Sequence, residues 1–128
     1  MNTYQYQGGC HCQDIRYEIN LQQSIENTDI TSCNCSLCEK TGYLHLIIAK
    51  NQFSLNSDWN LLSNYQFNKK IAKHYFCKKC AIKSFYQPRS HPDCWSVNVR
   101  CIDGFAQFKL NVNNFDGKNW EQNIHTIT

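Results

Sequence analysis

The chain has 128 residues, a formal charge of +3 and nine cysteines. A chain of this length reads as one domain, residues 1–128, that buries roughly two-thirds of its unfolded surface, so it does not need a metal merely for want of a core. No apolar run approaches the ~20 residues of a membrane span, and residues 1–5 lack the charged-then-apolar start of a signal peptide; the expectation is a cytoplasmic protein with no membrane partner.

The elements follow in chain order. Gly8-Gly9 reads as a turn, and residues 15–19 alternate apolar and polar with the period of a half-buried strand. A short helical turn follows Cys35, and residues 43–49 form a strand with Leu44, Leu46 and Ile48 on one face. Asn56-Ser57-Asp58 is a turn. Strands follow at residues 61–67, 72–76, 83–87, 95–102 and 105–112, broken by a turn at Pro88-Arg89-Ser90. Asp116-Gly117 is a further turn, and residues 120–124 carry a weak helical pattern. The sum is a mainly β fold of short antiparallel strands in packed sheets, with little helix.

Seven of the nine cysteines fall in three groups: Cys10-His11-Cys12, Cys33-Asn34-Cys35-Ser36-Leu37-Cys38, and Cys77-Lys78-Lys79-Cys80. Close thiol pairs on one short turn suit a soft tetrahedral cation such as zinc. A Cys-x-x-Cys after a strand is half of a zinc ribbon and needs two more sulfurs, which Cys10 and Cys12 offer. Cys33, Cys35 and Cys38 are crowded into six residues and more naturally serve one metal together. The economical partition is a structural zinc on Cys10, Cys12, Cys77 and Cys80, and a second zinc on Cys33, Cys35 and Cys38. Three protein ligands leave a position open for chemistry. Disulfides fit poorly with a reducing compartment and an odd count, and a redox Cys-x-x-Cys would sit in a βαβ context absent here. Cys101 reads as a core residue of an alternating strand, whereas Cys94, beside Pro92-Asp93, is a candidate to close the second site.

These groups resemble the glutathione-dependent formaldehyde-activating enzyme family. Besides the three cysteine groups, the resemblance runs through His74-Tyr75-Phe76 before the third group. The stretch Ser84-Phe85-Tyr86-Gln87-Pro88-Arg89-Ser90-His91-Pro92-Asp93 and the tail Phe115-Asp116-Gly117-Lys118-Asn119-Trp120-Glu121 are closest to its centromere-protein-V-like branch. The resemblance spans residues 8–121. It implies a zinc-stapled β-tent, the same division of cysteines between two Zn2+, and a carbon–sulfur lyase that joins glutathione and formaldehyde into S-hydroxymethylglutathione, or the reverse. Two positions depart from the family pattern. Ala81 stands where glycine usually follows the knuckle, at a cost of roughly 1–2 kcal/mol if the backbone is left-handed there. Cys94 stands where the branch usually has no cysteine.

A second zinc would either favour the thiolate of the incoming thiol or polarise the aldehyde oxygen. Proton transfer points to an imidazole. His91, in the proline-punctuated loop, is the candidate catalytic group, ahead of His45 and His74, whose strand positions suit backbone-satisfied histidines. Arg89 is a candidate bidentate clamp for a glutathione carboxylate. Tyr86 and Trp95 are candidate pocket walls, although core packing is the more natural duty of both, and Trp120 covers a sheet edge. The alternative to an enzyme is a non-catalytic zinc module binding protein or nucleic acid. Its basic clusters, Lys69-Lys70-Ile71-Ala72-Lys73 and Lys78-Lys79, are explained by a solvated face. Seven thiolates and two dications bring the formal +3 to zero, which disfavours nucleic acid. A small thiol such as glutathione and an aldehyde are the expected partners.

Overall fold

The structure is a computed structural model that describes residues 3–66 and 72–115. Ten strands are formed by the described residues: Tyr4–Gly9 (β1), Arg16–Leu21 (β2), Asp29–Cys33 (β3), Leu44–Ala49 (β4), Phe53–Leu55 (β5), Leu62–Tyr65 (β6), Lys73–Cys77 (β7), Phe85–Gln87 (β8), Cys94–Asn98 (β9) and Asn111–Phe115 (β10). One short helix, Ser36–Thr41 (α1), and five 3₁₀ turns complete them. A three-stranded sheet has the order β1-β2-β5, and a seven-stranded sheet the order β10-β3-β4-β9-β8-β7-β6. The fold is mainly β, as expected.

Alternation sets the packing. Tyr17, Ile19 and Leu21 of β2 face inward and meet Leu44, Leu46 and Ile48 of β4 and Val97 of β9 in the main core. A second apolar cluster of Ile15, Leu62 and Phe85 surrounds Cys10 and Cys77. Trp95 does pack as a core aromatic, edge-on to Phe85 at 5.3 Å. Val97, Phe85 and Tyr17 are each at most 1% exposed; burying a side chain of this class stabilises by about 1.5–3 kcal/mol.

Several sequence expectations are corrected. The strand expected over residues 95–102 stops at Asn98, whose side chain accepts from the Arg100 N–H at 3.1 Å and caps a 3₁₀ turn over Val99–Cys101. Cys101 is therefore half-buried on that turn rather than inside a strand. Phe105–Gln107 is another 3₁₀ turn, started by Gly104 at φ 80°, and the strand begins only at Asn111. That strand, β10, runs parallel to β3, the one parallel pair among the described strands and a departure from the all-antiparallel expectation. Gly8-Gly9 is not a turn but the end of β1. A Cβ on Gly8 would stand 2.5 Å from the Cys101 carbonyl oxygen, and one on Gly9 2.0 Å from that of Ile15. Glycine is needed here for close approach of backbones. The strands β1, β3 and β5 escaped the sequence pattern because most of their side chains are polar or partly exposed. Asp116-Gly117, residues 120–124 and Trp120 lie outside the described residues.

Candidate metal centres and the polar layer beside them

Two tight turns build the first centre. After β1 the Cys10 N–H donates to Ile15 O at 3.1 Å and the Gln13 N–H to Cys10 O at 3.3 Å. After β7 the Cys77 N–H donates to Ile82 O at 3.1 Å and the Ala81 N–H to Cys77 O at 2.9 Å. The residue after each second cysteine is left-handed, Gln13 at φ 72° and Ala81 at φ 65°. The turns aim backbone N–H groups at sulfur: Ile15 N to Cys10 Sγ at 3.3 Å, and Lys79 N and Cys80 N to Cys77 Sγ at 3.4 and 3.5 Å. Cys10 and Cys12 sulfurs lie 3.6 Å apart, and Cys12 and Cys77 sulfurs 3.5 Å apart, across 65 residues of sequence. Tetrahedral zinc at about 2.3 Å from each sulfur needs sulfurs about 3.8 Å apart. The four thiols, all within 4.8 Å of one another, could hold zinc.

The second cluster is local. Cys33 ends β3, Cys35 caps α1 and accepts from the Cys38 N–H at 3.3 Å, and Cys38 lies in the helix. Gly42, at φ 66°, closes the helix with its N–H on Cys38 O at 2.9 Å. The three thiols also lie within 4.8 Å of one another and could hold zinc. They titrate as a set. Donation from Cys33 and then Cys38 pulls Cys35 down to about 2, while Cys33 first and then Cys35 push Cys38 well above the ordinary thiol range. One thiolate forms readily and the next resists, a donor set that a dication would relieve.

No fourth histidine, cysteine or carboxylate among the described residues joins this trio. Cys94 does not. It pairs with Ala49, whereas His45, which touches the trio, pairs with Asn98. Four residues of strand place Cys94 about 13 Å along the sheet, and its sulfur points to Asp93 at 3.7 Å. Cys101 does not join it either: its thiol, pushed up to about 11 by burial, faces Lys83 O at 3.9 Å.

Beside the trio lies a buried polar layer that the sequence reading largely missed. His45 Nε2 stands 3.2 Å from Cys38 Sγ, and its Nδ1 stands 3.1 Å from both Ser96 Oγ and Tyr86 Oη. The His45 partners are thus side chains, not backbone. Burial, then the Lys83 charge, hold His45 down to about 3, so the ring is neutral. Burial keeps the Tyr86 phenol protonated. A neutral ring that donates from Nε2 to sulfur accepts a hydroxyl proton at Nδ1. Lys83 is the cation of this layer. Its Nζ is 3.0 Å from His74 Nδ1 and lies 4.6 and 4.5 Å from the ring centres of Tyr43 and Tyr86. Burial lowers it to about 8 against the pull of the trio's thiolates. His74 stacks on Tyr86 with ring centres 4.6 Å apart and is held to about 4 by burial and Lys83.

Of the residues singled out in sequence, Tyr86 is brought to this layer, and His91 is not. The His91 ring pairs with Ser90 Oγ at 2.7 Å, and its carbonyl accepts from the Cys94 N–H, at the far end of β9. Neither His91 nor Arg89 lines the cleft of about 520 Å3 that opens beside the trio between Cys33, Cys38, Tyr43 and Phe115. Lys78 and Lys79 are exposed on the second knuckle, and Lys69 and Lys70 lie outside the described residues. The signal for Lys83 and His45 was faint: each is a polar residue within or just before a strand whose neighbours read as core.

The model of the glutathione-dependent formaldehyde-activating enzyme family matches residues 5–118. The chain belongs to that family. It is also similar to a crystal structure of a Rhodobacter sphaeroides protein, a structural-genomics target, with a TM-score of 0.72 and 28% identity over 84% of this chain and 99% of that one. Family membership makes it a glutathione- and formaldehyde-related protein whose two cysteine clusters could hold zinc. No helix among the described residues is long and apolar enough to cross a membrane.

Proposed function

We propose that the chain is a cytoplasmic carbon–sulfur lyase with two Zn2+, which forms or cleaves the hydroxymethyl adduct of glutathione at the three-cysteine cluster. The observation that carries this reading is the trio itself: three thiols converge beside a cleft, with no fourth metal ligand among the described residues and a lysine ammonium in the layer behind. Nine free cysteines agree with a reducing compartment. The stretch from Ser84 to Asp93 supports the centromere-protein-V-like branch.

Cys10, Cys12, Cys77 and Cys80 would hold the structural ion, and Cys33, Cys35 and Cys38 the second. The second ion would supply Lewis acidity at an open position. In the addition, the glutathione thiol releases its proton to solvent, the sulfur bonds to the carbonyl carbon, the π pair moves to oxygen, and the oxygen takes a proton. Lys83, in the polar layer behind the trio, would supply that proton and be reprotonated by solvent. His45 holds Cys38, and Tyr86 and Ser96 fix the His45 tautomer. Three thiolates and one dication leave a charge of −1, which the Lys83 ammonium offsets. His91 and Arg89 have no part in this scheme.

The test is an adduct-formation assay on native protein and Cys35→Ala beside a no-enzyme control, because thiols add to formaldehyde unaided. A native rate above both others is expected. Equal rates in all three reject the formaldehyde reaction.

A further inference from the structure

We infer that the cleft beside the trio seats a carboxylate of the thiol substrate, and that Arg100 is the residue that reads it. This rests on the glutathione reading above and adds the part of the substrate that is recognised. The cleft measures about 520 Å3, inside the roughly 300–1,000 Å3 range of small-molecule sites, and its wall runs from Cys33 and Cys38 to Arg100. Arg100 is pre-positioned. Its Nε donates to Gly42 O at 2.9 Å, and its guanidinium lies over the Phe105 ring at 5.4 Å. Gly42 in turn donates to Cys38 O at 2.9 Å. The guanidinium is therefore tied through one residue to the helix that carries a trio sulfur, and the spacing between cation and thiols is fixed.

The Nε contact uses one of five N–H donors. No described residue accepts from the two terminal nitrogens, and the one ion pair among them belongs to Arg16 and Asp103. A planar fork held by its base and open at its tip fits a carboxylate through two parallel bonds. Asn114 also lines the cleft and brings an amide group suited to a peptide bond.

The test measures calorimetric binding of S-methylglutathione, its diethyl ester and inorganic phosphate to the zinc-loaded full chain. Native protein should bind the free acid about 10- to 100-fold more tightly than the ester, the worth of charge-assisted hydrogen bonds. Arg100→Gln should erase that preference, Arg100→Lys should recover only part of it, and phosphate should not compete. Equal binding of acid and ester by the native protein overturns the assignment without any variant. So does an unchanged preference in Arg100→Gln, competition by phosphate, or no binding of S-methylglutathione at all. Adduct formation no faster than the control, with Arg100-dependent binding intact, would reject the reaction and keep the cleft. Faster adduct formation with no acid–ester preference would do the opposite.

Discussion

The four-cysteine and three-cysteine clusters offer the same donor atoms in opposite surroundings. The first ties residues 10–12 to 77–80, is wrapped by Ile15, Leu62 and Phe85, and satisfies its sulfurs with backbone N–H groups. The second spans six residues, caps a short helix, and rests against His45, Tyr86 and Lys83 beside an open cleft. Joining distant chain segments in an apolar setting stabilises the fold. Placing an ammonium and two histidines behind a local cluster costs stability, because desolvated charge is unfavourable, and such costs are met most often where chemistry is done. The lesson is that the surroundings of a sulfur, not the sulfur, separate a cluster suited to a staple from the proposed reaction centre.

The strongest way to break this contrast is to remove a ligand from each cluster. Structural zinc is worth on the order of 10–16 kcal/mol in small peptides, against about 5–15 kcal/mol for a whole domain. Cys77→Ser should therefore yield unfolded or insoluble protein. A soluble variant with native melting and one remaining zinc would erase the distinction. Cys35→Ala should stay folded, lose one zinc by elemental analysis, and fall to the uncatalysed rate of adduct formation.

Lys83→Met probes the polar layer alone. The Lys83 side chain hydrogen-bonds to no sulfur of either cluster, so two zinc ions should remain. General acid–base groups contribute typically 10²- to 10⁴-fold, and a drop of about 100-fold is expected. Lys83 is held to about 8, so the native rate should fall as pH rises through that value, and the variant should lack this alkaline limb. An identical pH–rate profile in both proteins would remove Lys83 from the reaction.

A smaller effect comes from His74, held to about 4 against an ordinary 6.5. Above pH 6.5 the ring is neutral whether folded or not. As pH falls, the unfolded chain takes up the proton first, so the stabilisation is lost between pH 6.5 and about 4, on the order of 2 kcal/mol. His74→Phe keeps the stacking on Tyr86 and should lose less melting temperature than native protein over that range. Parallel curves would show that burial does not hold the ring neutral.

The sequence reading recovered the elements whose alternation reports one buried face, such as β2 and β4, and the cysteine partition, because ligand spacing is local geometry. It lost β3, where only Ile30 is buried, since a strand between two others need not alternate in sequence. It ranked His91 above His45 because a loop histidine looks available, whereas the register of β4 against β9 sets His45 beside Ser96 and the trio. Arg100 carried no signal in the sequence, because it belongs to no motif there. Which arginine faces the cleft depends on the Asn98 cap, which turns the chain after β9. Contacts made by long-range pairing leave no mark on local spacing.

The finest test of the contrast lies at Ala81. Its φ of 65° is left-handed, in the turn that sets Cys77 and Cys80, and an L side chain there costs roughly 1–2 kcal/mol. Glycine removes the Cβ clash but gives the unfolded chain more freedom, which takes back about 0.4–1 kcal/mol. Ala81→Gly should therefore raise stability by about 1 kcal/mol in denaturant unfolding of the zinc-loaded protein, without altering adduct formation. The equivalent change at Gln13, also left-handed at φ 72°, carries a second term, because the Gln13 side chain accepts from Arg16 at 3.0 Å. Gln13→Gly should gain less. A gain at Ala81 accompanied by a change in adduct rate would mean that the two clusters are mechanically coupled, and that the staple also tunes the reaction centre.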